Sequence, residues 1–337
     1  MISFLHISDF HLVDNTHSDS FYFDEKRENA WRALNNAIDF ANENKIKYIL
    51  VTGDMYERRY FNDSHVKRLK SIFKRFNGRV VIIAGNHDYF ANKSEATRLS
   101  YDNIFVFYDE NRLVFPDDEL TIYGYSWKDE IYKDNIDLSE VHTSSKYNIV
   151  MLHSGTEIDE AYLPLDISVF DDNIDYIALG HIHKPISLSE KAAYAGSIEP
   201  LNIKETGIHG GIYGTINDRL DLKYIRFQET EYLDISMDIT DLTVDDIVFK
   251  LKERVNDLDQ ILRLSIKGMM NALDPVDIRL ALSKYFKIVK IIDNRTVLKE
   301  NMVGDEFNYI FEKISELDKN IQEDVKRQIF KLLNEFG

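Results

Sequence analysis

Residues 79–88 read RVVIIAGNHD, a short apolar run followed directly by polar residues, and they decide the fold of this chain. An apolar run of this length that ends at a glycine is typical of a strand buried on both faces. Residues 2–11 (ISFLHISDFH) and 48–54 (YILVTGD) have the same design. The repeated pattern predicts parallel strands whose carboxyl ends carry polar side chains at one edge of a sheet.

Helical patterns separate these strands and favour an α/β fold. Apolar residues recur every three or four positions over residues 25–42 and 63–76, which predicts a helix after each of the first two strands. Further short apolar runs predict strands at residues 121–125, 148–152 and 174–179. Residues 1–230 are therefore expected to form one α/β domain.

Beyond residue 230 the pattern changes. Helical and strand-like segments alternate over residues 231–300, which predicts a small α+β domain. From Phe307 to Phe336 apolar residues recur every three or four positions, so residues 301–337 are expected to contain a C-terminal amphipathic helix. Two interpretations of this helix stay open: it docks onto a partner protein, or it packs on its own domain.

The composition excludes several classes of protein. With 337 residues, 44% of them hydrophobic and 29% charged, the chain has the balance of a soluble globular protein. Its net charge of −17 opposes nonspecific coating of nucleic acid, because phosphate attracts positive charge. The absence of cysteine excludes disulfides and thiolate metal sites. No apolar run approaches the ~20 residues that span a bilayer, and the N-terminus lacks a signal peptide, so we expect a cytoplasmic protein.

Five short polar motifs fall where predicted strands end, and they contain the residue types that bind divalent metal ions. The motifs are Asp9-Phe10-His11, Gly53-Asp54, Gly85-Asn86-His87-Asp88, His153 and Gly180-His181-Ile182-His183. On extended backbone, residues i and i+2 point the same way, so Asp-x-His and His-x-His can each direct two side chains into one cavity. Each motif alone is common, but all five in this order predict a metal centre of carboxylate, amide and imidazole ligands.

The order of these motifs resembles the signature of the calcineurin-like metallophosphoesterases over residues 1 to about 185. The segment Tyr194-Ala195-Gly196-Ser197, with Glu205 soon after and a small domain following, more narrowly resembles the SbcD-type nuclease subunits of DNA double-strand-break repair complexes. This resemblance implies a four-layer α/β/β/α sandwich with a small α+β capping domain and a C-terminal helix.

The resemblance also implies two metal ions, most often manganese. It assigns Asp9, His11 and His183 to one ion and Asn86, His153 and His181 to the other, with Asp54 as the bridge. His87 matches a histidine that lies beside the metals and is not one of their primary ligands. A protonated imidazole there can stabilise the transition-state charge or protonate the leaving alkoxide. Asp88 has two open interpretations: it orients the His87 ring, or it caps the next helix.

The loop after Gly53-Asp54 departs from the pattern of related nucleases. Those proteins often carry a second histidine shortly after this motif, whereas this chain has Glu57. A carboxylate in that place is expected to repel a phosphodiester. The aromatic residues Tyr56, Tyr60 and Phe61 either stack on unpaired bases or belong to the core and its rim.

A cluster of positive charge begins beside this loop. Residues 57–79 contain eight basic and two acidic residues in an otherwise acidic chain. One interpretation is contact with the phosphates of a nucleic acid, for which the candidate residues are Arg58, Arg59, Lys67 and Arg68. The alternative is a solvated helix face whose long side chains cover apolar neighbours.

Three functions stay open at this point. The first is a two-metal phosphodiesterase that acts on DNA as an exonuclease or endonuclease, for which the resemblance implies a second copy of the chain and an SMC-like (SbcC-type) ATPase as partners. The second is a phosphoesterase for nucleotides or other small phosphodiesters, which needs the same metal core. The third is a DNA-binding regulatory subunit whose metal site is vestigial.

Overall fold

A computed structural model gives the structure of this chain. It describes residues 1–13, 23–131, 141, 145–155, 170, 174–255, 260–268, 273–295, 313–317, 321–322 and 325, and omits the side chains of 23–27 and 289. The chain divides into two compact units, residues 1–232 and 233–337. Within the described residues, no helix has both the length and the apolar character needed to cross a membrane.

The first unit opens with alternating strands and helices. Its first elements are β1 (Ile2–Ile7), α1 (Phe23–Glu43), β2 (Tyr48–Thr52), α2 (Asp63–Lys74), β3 (Arg79–Ile83), α3 (Lys93–Leu99) and β4 (Ile104–Val106). Strands β1 to β4 pair in parallel in chain order. Helix α2 begins at Asn62, whose side chain accepts hydrogen bonds from the backbone N–H groups of Ser64 and His65. The predicted helices and buried strands of this region are confirmed, whereas α3 and β4 had no clear sequence pattern.

The rest of the first unit is almost entirely strands. Its elements are β5 (Arg112–Phe115), a 3₁₀-helix (Pro116–Asp118), β6 (Leu120–Gly124), β7 (Tyr147–His153), β8 (Tyr176–Gly180), β9 (Ile186–Ser187), β10 (Ala192–Tyr194), β11 (Gly210–Ile216) and β12 (Leu220–Arg226). Two six-stranded sheets result: the first has the order β12-β11-β1-β2-β3-β4, and the second has the order β5-β6-β7-β8-β10-β9. Strands β6, β7, β8 and β10 run parallel to their neighbours.

The two sheets pack face to face, with helices on the outer face of the first. One core contains Phe4 and Leu50 of the first sheet with Ile149 and Tyr176 of the second, all fully buried. A second core lies between the first sheet and its helices. This mixed α/β sandwich confirms the predicted fold class, and it aligns the carboxyl ends of the parallel strands of both sheets.

The second unit contains a smaller sheet with two helices. Its elements are β13 (Tyr232–Asp238), α4 (Val244–Lys252), β14 (Ile261–Lys267), α5 (Pro275–Leu282) and β15 (Lys287–Asp293). The sheet has the order β13-β14-β15, and its apolar residues form their own core with both helices. The helices begin at Thr243 and Asp274, whose side chains cap their first turns. Most of the predicted C-terminal helix, residues 301–337, lies outside the described residues.

One polar contact joins the two large sheets inside their shared core. His6 of β1 is fully buried, and its Nδ1 lies 2.9 Å from the Tyr176 hydroxyl of the second sheet. Its Nε2 lies 2.9 Å from Thr52 Oγ1. Burial lowers the pKa of His6 to about 3, because charging the imidazole here would remove its hydration. The ring is therefore neutral in the folded protein at neutral pH.

The buried His6 predicts a specific loss of stability in acid. Between about pH 6.5 and pH 3 the unfolded chain binds a proton at His6 that the folded chain excludes, so stability falls as the pH is lowered. His6→Gln keeps a donor and an acceptor but does not titrate. In urea unfolding with a chelator present, the wild type should lose up to ~1.4 kcal/mol more per pH unit than the variant. Parallel losses in both proteins would contradict this account of His6.

Candidate metal centre

The five polar motifs meet where the two large sheets adjoin. Backbone hydrogen bonds hold the loops after β1 and β2 together, since the Asp9 and His11 N–H groups donate to the carbonyls of Gly53 and Asp54 at 3.1 and 3.0 Å. The second sheet is joined to them through His153, whose Nδ1 lies 2.7 Å from the Thr52 carbonyl oxygen. The sandwich thus brings residues from five strand ends to one place.

Several of these residues have a backbone conformation that is unusual for residues other than glycine. Asp9, His11, Asp54 and His181 have positive φ angles of 52°, 44°, 50° and 100°. Such conformations cost free energy and persist only where surrounding contacts enforce them. Here the loop hydrogen bonds enforce them, and the turns direct the side chains toward one another.

The side chains form two groups of candidate ligands. In Asp9, His11 and His183, one ligand atom from each residue lies within 4.8 Å of the others. Asp54, His153 and His181 meet the same criterion. The Asp54 carboxylate lies between the groups, because its Oδ2 is 3.2 Å from His153 Nε2 and 3.7 Å from His11 Nε2.

The remaining predicted ligand and the predicted catalytic histidine lie at the edges of these groups. The Asn86 Oδ1 is 3.1 Å from His153 Nε2. The His87 ring is partly exposed and packs edge-on against His11, with 4.7 Å between ring centroids. All seven residues predicted to bind metal therefore lie around one centre, with His87 beside it.

Three of the histidines are held at Nδ1 by a fixed oxygen. The acceptors are Glu57 for His11 at 2.7 Å, the Thr52 carbonyl for His153 at 2.7 Å, and Glu205 for His183 at 3.1 Å. A neutral imidazole that donates from Nδ1 has its lone pair on Nε2. Such contacts orient metal-binding histidines in general. Sequence reasoning noted both Glu57 and Glu205 but did not predict these contacts.

Asp88 has neither of its two predicted roles. Its carboxylate is fully buried and accepts hydrogen bonds from the backbone N–H groups of Gly85 at 2.7 Å, Met55 at 2.8 Å and Asp54 at 3.1 Å. The carboxylate that contacts the His87 ring is Glu57, and the next helix is capped by Asn92. Asp88 instead fixes the loops after β2 and β3, because one acceptor group satisfies three backbone donors.

The charges of the metal-free site act on one another strongly. Burial opposes charge on His153, but the Asp54 carboxylate outweighs it and raises the pKa of His153 to about 9. Burial also opposes charge on His87, yet its contact with Glu57 and the neighbouring carboxylates raise its pKa to about 9. For His181, burial and the adjacent His153 lower the pKa to about 4. Protonated histidines thus compensate the buried carboxylates when no metal is bound.

The donor set fits divalent cations. His11 Nε2 is buried and, within the described part of the chain, has no hydrogen-bond partner. It faces a group of carboxylate and imidazole atoms, and a bound cation satisfies such an atom. Oxygen and imidazole donors suit manganese and similar ions, and they need no thiolate.

The structure gives different surroundings to the four basic residues predicted to contact nucleic acid. Arg58 pairs with Glu95 at 2.7 Å, and Arg68 contacts both oxygens of Glu28. Arg59 and Lys67 are exposed, and neither has an ion pair among the described residues. The positive charge available to a ligand is therefore smaller than the sequence count indicated.

The nearby aromatic residues mostly belong to the protein interior. Tyr56 is buried, and its ring stacks on Phe61 with 3.9 Å between centroids. Tyr60 and Phe61 pack against the core beneath the helices. This placement agrees with the core interpretation of these residues.

Comparison with known proteins identifies the class of protein that this fold and site define. A model of the calcineurin-like phosphoesterase family matches residues 2–185, and the chain belongs to this family. It is 26% identical over 303 residues to the uncharacterized metallophosphoesterase YhaO of Bacillus subtilis, covering 83% of this chain and 71% of that protein.

Two further relatives come from an archaeon and a fish. The chain is 23% identical over 331 residues to the DNA double-strand break repair protein Mre11 of Sulfolobus acidocaldarius, covering 89% of this chain and 83% of that protein. A crystal structure of a dimetal phosphatase from Danio rerio aligns with 68% of this chain and 97% of its own, at 12% identity and a TM-score of 0.41.

The tight approach of backbone to side chains at Gly85 yields a prediction for the site. A Cβ at this position would contact Asp54 Oδ1 and lie 2.7 Å from His153 Nε2. Gly85→Ala should therefore displace both side chains and weaken manganese binding by more than ~10-fold, as measured by calorimetric titration. Gly207→Ala is the control, because a Cβ there has no neighbour within 4 Å and adds only the strain of a φ of +104°. Equal metal affinity in the two variants would contradict the predicted contact.

Proposed function

We propose that this chain is a two-metal phosphodiesterase that hydrolyses DNA, as an exonuclease or endonuclease of a double-strand-break repair complex. The observation that carries the proposal is the convergence of the seven candidate ligands, with Asp54 between the two groups. The membership in the calcineurin-like phosphoesterases supports phosphoester hydrolysis. The similarity to a protein named for DNA double-strand break repair supports DNA as the substrate.

In this proposal each group of ligands holds one divalent ion, which we take to be manganese. Asp9, His11 and His183 hold the first, Asn86, His153 and His181 hold the second, and Asp54 serves both. Paired divalent ions supply a clamp for the phosphoryl group and lower the pKa of a water molecule between them.

The protein's own side chains do the remaining work. The oxygens that anchor Nδ1 of His11, His153 and His183 keep each Nε2 directed inward. His87 lies at the exposed edge of the centre, where a substrate arrives, and its raised pKa keeps it protonated at neutral pH. A protonated imidazole donates to the departing oxygen as the P–O bond breaks.

The proposal places the DNA beside α2 and the loop that precedes it. Arg59 and Lys67 are exposed and available to phosphates, whereas Arg58 and Arg68 are engaged with carboxylates. Following the resemblance to SbcD-type subunits, we propose a second copy of the chain and an SMC-like ATPase as partners. The capping role of residues 231–300 and the docking role of residues 301–337 are part of the same proposal.

Loss of one ligand tests the catalytic proposal. Asn86→Ala should reduce manganese-dependent hydrolysis more than ~100-fold, because removal of even a supporting group around a metal costs 10- to 100-fold. Cleavage of end-labelled single-stranded DNA and of bis(p-nitrophenyl) phosphate should be measured in parallel. Hydrolysis of the small diester without DNA cleavage would favour a phosphoesterase of small substrates. Absence of both reactions in the wild type would favour a regulatory subunit.

The DNA-binding proposal predicts a selective effect of surface charge. The double variant Arg59→Ala with Lys67→Ala should raise KM for single-stranded DNA and lower its salt dependence by ~0.7 per lost phosphate contact. Hydrolysis of the small diester should not change. Arg75→Ala is the control with the same kind of charge loss, since Arg75 follows α2 at its other end and pairs with Asp39. An equal change of KM in the control would contradict a local phosphate site.

A further inference from the structure

Glu57 contacts two histidines that have different positions in the site. Its carboxylate lies 2.7 Å from Nδ1 of His11 and 3.0 Å from Nδ1 of His87. The Glu57 side chain is 13% exposed and the His11 side chain 4%, whereas His87 is 43% exposed. A single carboxylate therefore joins a buried candidate ligand to the histidine that faces the substrate.

The backbone around Glu57 holds the carboxylate in this position. The Glu57 N–H donates to the Leu12 carbonyl at 3.2 Å, and the Arg58 N–H donates to the His87 carbonyl at 3.1 Å. The Glu57 carbonyl in turn accepts from the Tyr60 N–H at 2.9 Å. The loop after β2 is thus fixed to the loops after β1 and β3, so the carboxylate is in place before any ligand binds.

These contacts also change the effect expected of a carboxylate at this position. A free carboxylate beside the cavity would repel a phosphodiester. The Glu57 carboxylate is instead directed at two imidazole nitrogens and is mostly covered by protein. Its geometry is that of a group that orients other side chains, as carboxylates around metal-binding histidines commonly do.

We propose that Glu57 is a positioning residue that fixes His11 for metal binding and His87 for the substrate with one carboxylate. This inference rests on the proposed two-metal hydrolysis and adds a mechanical link between metal binding and the placement of His87. Glu205 provides the contrast. It holds Nδ1 of His183 at 3.1 Å, and no hydrogen bond joins it to His87 in the described part of the chain.

The test combines metal binding with a double-mutant cycle. The full-length variants are Glu57→Ala, Glu57→Gln, His87→Ala, the Glu57→Ala/His87→Ala double variant, and the matched controls Glu205→Gln and Glu205→Gln/His87→Ala. Manganese affinity is measured by calorimetry without substrate, and kcat and KM are measured on bis(p-nitrophenyl) phosphate at saturating manganese. Gln keeps the volume of Glu but has one acceptor oxygen, so it replaces Ala where the Ala variant fails to fold.

The expected result has two parts. Glu57→Ala and Glu205→Gln should each weaken one of two manganese sites ~10- to 100-fold. In kcat, Glu57→Ala should add little to His87→Ala, since both remove the same correctly placed imidazole, whereas the effects of Glu205→Gln and His87→Ala should multiply. KM should change little in the Glu57 variants.

Two results separate the failure of this inference from that of the proposed function. If the wild type hydrolyses diesters, but Glu57→Ala keeps full manganese affinity or its effect on kcat multiplies with that of His87→Ala, the positioning role is wrong. If the wild type hydrolyses no diester, the proposed function fails. The calorimetric comparison then decides the His11 half of the inference by itself, since unchanged affinity in both Glu57 variants overturns it.

Discussion

The buried carboxylate of Asp54 imposes the constraint on which the rest of the site depends. Its side chain is 2% exposed, and it lies between His11 and His153 at the junction of the two large sheets. An ionised carboxylate in such a place is costly unless positive charge or hydrogen bonds compensate it. The His87 N–H donates to Asp54 Oδ1 at 2.8 Å, which supplies one hydrogen bond, and the remaining oxygen faces imidazoles.

That compensation differs between the metal-free and the metal-bound protein. Without metal, the Asp54 carboxylate raises the pKa of His153 and stabilises its protonated form. A metal-binding imidazole must be neutral, so on the proposed function metal binding releases protons from this site. The strained turns at Asp9, His11, Asp54 and His181 are held by backbone contacts in both cases. Metal and proton therefore compete for one preformed cavity.

The sequence predicted the strands and the residues at their ends because both signals are local. An apolar run followed by Gly-Asn-His-Asp identifies a buried strand and its turn without reference to the rest of the chain. The alternation of such runs with helical patterns likewise predicted the two-layer organisation of the first sheet. Elements with short or polar strands, such as β9 and β12, lack that signal and were not predicted.

The contacts that complete the site were not predictable, because they join residues far apart in the chain. Asp88 follows His87 directly, yet its acceptors are used by the loop around Asp54, 34 residues earlier. The pairing of Arg68 with Glu28 spans 40 residues and depends on how α1 and α2 pack. A count of basic residues along the sequence cannot separate paired from unpaired charges, since only tertiary structure brings the partners together.

The same distinction explains how an acidic chain can act on an anionic polymer. The net charge is −17, but at physiological salt an exposed charge is screened beyond ~8 Å. A phosphate at the proposed centre is therefore governed by its immediate neighbours, which are two divalent ions, His87 and the exposed Arg59. Glu57, the nearest opposing charge, is directed at His11 and His87 rather than at the cavity. Local geometry thus outweighs the overall charge, because the remote acidic residues act only through screened solvent.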